Sequence, residues 1–318
     1  MKKIIKTISI PIAGLMLALA ALGNLISSYG SIYKNIFGGI SATIFLILFV
    51  KILFDYRAIA ESLTNPVIAS VSPTFPMGLM ILSTYIKAHL PLAAYGIWIF
   101  SLLLHCSLII YFTKKFIFNF DIRKVFPSYF VVYVGIVVGS VTAPVYNSIN
   151  IGKFVFWFGF ISYLILLPVV IYRVFSIKNI KEPALPTITI FAAPASLCLA
   201  GYMSSFPEKN MNIVLFLTLL SQIMFFSVLL YLPRMLKIKF YPSYSAFTFP
   251  LVISAIAIKK TNGFFININQ EIQILKHIVK FEETLAVLIV VYVLIRYINS
   301  ILINIQNTNQ MNLNKSTS

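Results

Sequence analysis

Ten apolar runs, each close to the length that crosses a bilayer, follow one another along the chain. A helix of about 20 apolar residues spans a membrane core, and in lipid every backbone N–H and C=O must be satisfied within the protein. Runs of this length therefore read as transmembrane helices, at residues 8–29, 36–54, 66–88, 91–113, 127–147, 151–173, 184–206, 211–232, 241–260 and 279–303. Composition agrees: 10% of residues are charged, against about 25% in soluble domains. The longest connection, 261–278, is too short for a soluble domain. The expectation is an all-α polytopic membrane protein, with one transmembrane domain over residues 1–305 and a polar, disordered tail over 306–318. The N-terminal MKKIIKTISIPIAGLMLALAALG has the makings of a signal peptide. Its apolar stretch from Ile8 to Ile26 is long enough for a retained first span, the reading we favour.

The net charge of +17 is a matter of topology. Seventeen of the 25 Lys and Arg fall on one side, in the N-terminus, in the connections after the even spans and in the C-terminus. The other side holds Lys34, Lys87, Lys153, Lys209, Lys259, Lys260, Lys276 and Lys280. The positive-inside bias then puts both termini in the cytoplasm of a multi-pass protein of the cell membrane. No basic face with interleaved aromatics sits on a soluble domain, so nucleic acid is not an expected partner. Cys106 and Cys198 lie in apolar runs without metal-like neighbours and read as small buried hydrophobes.

Prolines mark alternate spans. Ten of the 15 fall in the odd runs or their first turns: Pro11, Pro66, Pro73, Pro76, Pro127, Pro144, Pro186, Pro194, Pro242 and Pro250. Each removes a donor and frees a carbonyl, which lipid cannot satisfy but protein or a watery cavity can. The pattern predicts five helical hairpins, with proline-kinked odd helices around a central pore and straighter even helices outside. Prolines are common in membrane helices generally, so it is the alternation that carries the reading.

Polar content of the odd spans is neutral. Ser72, Thr74, Ser140, Thr189 and Thr248 are candidate anion-contacting hydroxyls, although hydroxyls equally serve as glue between helices. Acidic residues avoid the spans, apart from Glu282 and Glu283 at the start of the tenth. His105, on an outer span, reads as a packing residue. A pore without acidic lining and with a cationic cytoplasmic mouth favours anions, since cation channels use acid rings or carbonyl filters. There is no TVGYG filter and no Arg-repeat voltage sensor. HExxH, GxSxG and P-loop motifs are absent, so neither an enzyme nor an ATP-driven pump is expected. No metal or other cofactor is expected either.

Five stretches carry a family resemblance: IPIAGLMLALAALG at 10–23, NPVIASVSPTFP at 65–76, FPSYFVVYVGIVVG at 126–139, FAAPASLCLAG at 191–201 and YSAFTFPLVISAIA at 244–257. In order and spacing they resemble the pore helices of the tellurite-resistance/dicarboxylate transporter family, which includes the slow anion channels of plant guard cells. The resemblance implies ten helices in five hairpins and a homotrimer with one pore per subunit. It also implies a pore blocked by a phenylalanine in the ninth helix, here Phe249. Pro11, Pro73, Pro76, Pro127, Pro144, Pro194 and Pro250 then belong to the pore wall. The sequence departs from the family at Tyr129 and Tyr133, which are expected to narrow the pore. The function expected is a channel or facilitator for small monovalent anions such as chloride and nitrate. The alternative is a carrier of C4-dicarboxylates or of oxyanions such as tellurite. A carrier of dianions calls for a fixed cation in the pore, and no odd span has Lys or Arg at its middle. A receptor or scaffold without flux is the remote alternative.

Overall fold

The structure, a computed structural model, describes the backbone of residues 8–316 and the side chains of residues 8–306. Beyond Gln306 the expected disordered tail lies outside the residues whose side chains are described. Among the described residues every element is helical. Among these residues, eight helices are long and apolar enough to cross a membrane: α2 (Ser31–Phe54), α3 (Pro66–Ile86), α4 (Pro91–Ile117), α6 (Ile149–Ile177), α7 (Glu182–Ser205), α8 (Met211–Met235), α9 (Pro242–Asn267) and α10 (Gln273–Ser316). Two shorter apolar helices, α1 (Ile12–Leu25) and α5 (Gly135–Tyr146), lie where the first and fifth spans are expected. The chain is a multi-pass membrane protein.

Burial alternates along the chain. In the most apolar stretch of α2, α4, α6, α8 and α10, 28% of the residues are buried; in α3, α7 and α9 the share is 67%, 89% and 61%. Every residue of α1 except Asn24 is buried. α1 packs against α3 and α9, α3 against α5, α5 against α7, and α7 against α9, which closes a ring. Each of the other helices packs on its two chain neighbours in that ring, α10 on α9 and α1. Their outward residues, among them Leu92, Leu103, Ile165, Leu219, Leu230 and Leu288, are exposed. An apolar surface this extensive marks contact with lipid or with another protein chain. The short inner helices are tolerated because their ends, surrounded by protein, never meet hydrocarbon.

Several prolines open α-helical segments, while Pro73 and Pro76 fall within α3 and Pro186 within the 3-10 part of α7. Pro11 caps α1, Pro66 opens α3, and Pro194 and Pro250 stand in the first turns of the α-helical parts of α7 and α9. There the missing N–H would have been unpaired anyway. Asn65 completes the start of α3, its side chain accepting from the N–H groups of Val67 and Ile68 at 2.9 and 3.3 Å. α3 is then broken between Val71 and Thr74. Pro73 leaves the Ala69 carbonyl without its helical donor, and the Ser72 hydroxyl donates to it at 2.8 Å. Pro144 likewise frees the Ser140 carbonyl, which takes a hydrogen bond from Ser205 on α7 at 2.6 Å. Among the outer helices, Pro168 of α6 and Pro233 of α8 lie inside α-helices, each near the C-terminal end.

Close approach of α6 to the ring rests on Gly152. A Cβ there would meet the Ser205 hydroxyl and lie 2.8 Å from the Ala143 Cβ. Ala143 is fully buried and cannot retreat. Gly152→Ala is expected to cost about 1–3 kcal/mol by overpacking, read as a lower melting temperature in detergent. Gly96→Ala, facing open space, is expected to leave the melt unchanged or raise it slightly, because alanine is the better helix former.

Candidate functional site

Two cavities lie within the ring of inner helices. The smaller, about 60 Å³, is lined from all five inner segments: Pro11 and Gly14 from α1, Val71 and Thr74 from α3, Val131 from the short helix Tyr129–Tyr133 that leads into α5, Ile190 from α7, and Ala246 from α9. These residues all stand near the N-terminal ends of their segments. The larger, about 480 Å³, is lined by the later parts of the segments: Ala21 and Asn24, Ile81 and Thr84, Val138 and Val145, Ile253 and Ile256. Phe249 is the one residue common to both linings. It is the first residue of the α-helical part of α9 and is 6% exposed. Neither lining contains an acidic residue.

The larger cavity carries Lys34, Lys259 and Lys260 in its wall; the smaller carries no charged residue. Lysines thus stand in the wall of the cavity at the C-terminal ends of the inner helices, while the basic residues expected at the cytoplasmic mouth line neither cavity. Lys259 and Lys260, on the non-cytoplasmic side by the sequence reading as well, close the span expected over 241–260; α9 continues past them to Asn267, and the α9–α10 turn shrinks to residues 268–272. Lys259 is held in place by Glu283, 2.7 Å away, by the Ser28 hydroxyl and by the Leu25 carbonyl. Tyr29 donates to the other oxygen of Glu283 at 2.7 Å, and that carboxylate pushes the Tyr29 phenol above its ordinary pKa. Outside the spans, burial lowers the pKa of Lys209, whose ammonium donates to the Phe206 carbonyl at 2.9 Å.

The chain matches the family model described as voltage-dependent anion channel over residues 7–299. The chain belongs to the voltage-dependent anion channel family. It is the family that the five proline-bearing stretches resemble. No curated protein matches the chain. Membership of the voltage-dependent anion channel family makes this an anion-transport protein of the membrane.

Within this family member, the residues singled out from sequence fall in different places. Phe249, Pro11, Pro250 and Thr74 reach a cavity wall. Pro73, Pro76, Pro127, Pro144 and Pro194 line neither cavity, and nor do Ser72, Ser140, Thr189 and Thr248. Most of the hydroxyls are spent on carbonyls: Thr74 donates to Val71 at 2.7 Å, Ser140 to Gly201 at 3.2 Å and Thr248 to Ser245 at 2.6 Å. Thr189 is buried with its hydroxyl unpartnered among the described residues. Tyr129 and Tyr133 do not narrow the axis. Tyr129 packs edge-on against Phe112 of α4 with ring centroids 4.7 Å apart, and Tyr133 shares a 2.8 Å hydrogen bond with Thr113. Val131, between them, faces the cavity instead. His105 is buried and donates from Nε2 to the Val132 carbonyl at 2.9 Å, a packing contact. Lys34, Lys259, Lys260 and Asn24 are the wall residues that the sequence reading passed over.

Proposed function

We propose that this protein is a channel or facilitator that passes small monovalent anions, chloride and nitrate, along the axis of the inner ring, with Phe249 as the gate. One observation carries the reading: Phe249 alone belongs to the walls of both cavities. An aromatic ring between two cavities blocks ions by its bulk and by dewetting the gap, and a rotamer change removes both barriers. Anion preference follows from walls without carboxylates and from lysines at one mouth.

On this reading all ten segments cross the cell membrane as five hairpins, with α1 and α5 as short inner crossings and both termini in the cytoplasm. The closed ring of contacts and the alternating burial support it, as does the distribution of Lys and Arg. A homotrimer with one pore per subunit is part of the same proposal and rests on the family resemblance.

The test is efflux from proteoliposomes loaded with chloride or nitrate. A channel moves net charge, so efflux is expected to be slow alone and to accelerate when valinomycin lets potassium follow. Efflux indifferent to valinomycin, together with uptake of labelled malate against internal malate, would replace the channel with a dicarboxylate carrier.

A further inference from the structure

The three ammonium groups of the larger cavity are not equivalent. Lys259 uses its donors on Glu283, Ser28 and Leu25. An ammonium has three N–H groups, so Lys259 has none left for a ligand. Lys34 sits over the Tyr85 ring, 5.0 Å from its centroid, and among the described residues no carboxylate pairs with it. Lys260 differs from both. Among the described residues it has no hydrogen bond, ion pair or ring contact, its side chain is exposed, and Lys209 adds a like charge. Lys209 is itself turned to the Phe206 carbonyl and stands over the Phe264 ring at 5.7 Å. An exposed ammonium without a protein partner in the wall of a cavity, with a second at Lys34 in the same wall, leaves a positive field that attracts anions from solution. Low-dielectric walls focus such a field and raise the local concentration of counter-ions.

We propose that Lys260, with Lys34 in the same wall, forms a capture site for small inorganic anions in the larger cavity, before the ions reach Phe249. The site rests on the channel reading and adds to it a location, a charge and a side. Capture acts on anions that enter from the mouth of the larger cavity and leaves entry through the smaller cavity unaffected. The competing role for a lysine at a helix end is to snorkel to the headgroups as an anchor; such a lysine shapes stability and insertion, not the salt dependence of current.

The experiment is chloride current in planar bilayers for Lys260→Gln and Lys260→Arg, each in the wild-type and Phe249→Ala backgrounds, with chloride supplied from one side at a time. Screening separates the roles, since the Debye length is about 30 Å at 0.01 M salt and about 3 Å at 1 M. At about 0.01 M, Lys260→Gln is expected to lower current entering through the larger cavity about threefold, a modest share of the enhancement that focused fields can give. At about 1 M its current should match the parent's, and Lys260→Arg should match the parent at both salts. Unchanged current at low salt overturns the capture site and leaves the channel standing. So does an equal fractional loss at both salts, which is the mark of structural damage. Absence of anion current in every variant at every salt overturns the channel reading and the capture site together.

Discussion

Phe249→Ala is expected to raise chloride conductance in planar bilayers at least about tenfold, the factor that a barrier lowered by about 1.4 kcal/mol already produces. The argument starts from position. Phe249 is 6% exposed, yet its surroundings are a cavity on each side and not close packing throughout. Removing the benzyl group therefore joins two existing spaces instead of creating an isolated void. The same position moderates the stability cost: Phe→Ala in a filled core costs about 3–5 kcal/mol, and a ring already bordered by empty space has fewer contacts to lose. Intermediate side chains should grade the effect, with Phe249→Leu between wild type and Phe249→Ala, because the barrier follows the width and wetting of the gap. Reversal near the chloride equilibrium potential accompanies the increase if the carboxylate-free walls set selectivity. The packing alternative makes the opposite pattern: a lower melting temperature in Phe249→Ala with current no greater than wild type. A reversal on the potassium side would remove the anion reading altogether.

The inner–outer alternation was legible because the physics acts on composition. Proline is tolerated where a neighbour or a cavity answers the freed carbonyl, so a count of prolines per run already sorted buried helices from lipid-facing ones. Their local role was not legible. Sequence shows that Pro73 removes a donor; it does not show that Ser72 turns back to the Ala69 carbonyl at 2.8 Å, or that Ser205 crosses from α7 to the Ser140 carbonyl at 2.6 Å. Those bonds are why a run of Ser and Thr beside prolines is a poor guide to pore contacts: the prolines themselves claim the hydroxyls. Tyr133 escaped for a related reason. An aromatic in an inner segment can turn outward to a partner on the next helix, and Thr113 supplies one. The end of α9 escaped because IKKTNGFFIN mixes two lysines with apolar residues. A span rule ends at the lysines; the helix goes on, since Phe265 still packs in the core and the lysines can face a cavity instead of lipid.

If Phe249 divides one path, the two cavities must be reachable from opposite faces of the membrane, and thiol modification is expected to show it. The native thiols, Cys106 on the exposed face of α4 and buried Cys198, are first replaced by serine and alanine. Ala246→Cys then places a thiol in the wall of the smaller cavity and Ile256→Cys one in the wall of the larger. With Phe249 in place, a small anionic methanethiosulfonate is expected to react with each thiol from one side only, and with the two from opposite sides. In the Phe249→Ala background each thiol becomes reachable from the far side as well. Its far-side reaction rate should rise at least about tenfold, matching the conductance because the same barrier of about 1.4 kcal/mol or more is removed, and modification should then suppress the current. The side that reaches Ala246→Cys in the closed protein also fixes orientation. On the proposed topology, with the excess of Lys and Arg near the N-terminal ends of the inner helices, the cytoplasmic side is the expected one. Reaction of both thiols from the same side with Phe249 intact would mean that the cavities are not two ends of one axis. The gate would then fail even if Phe249→Ala conducts.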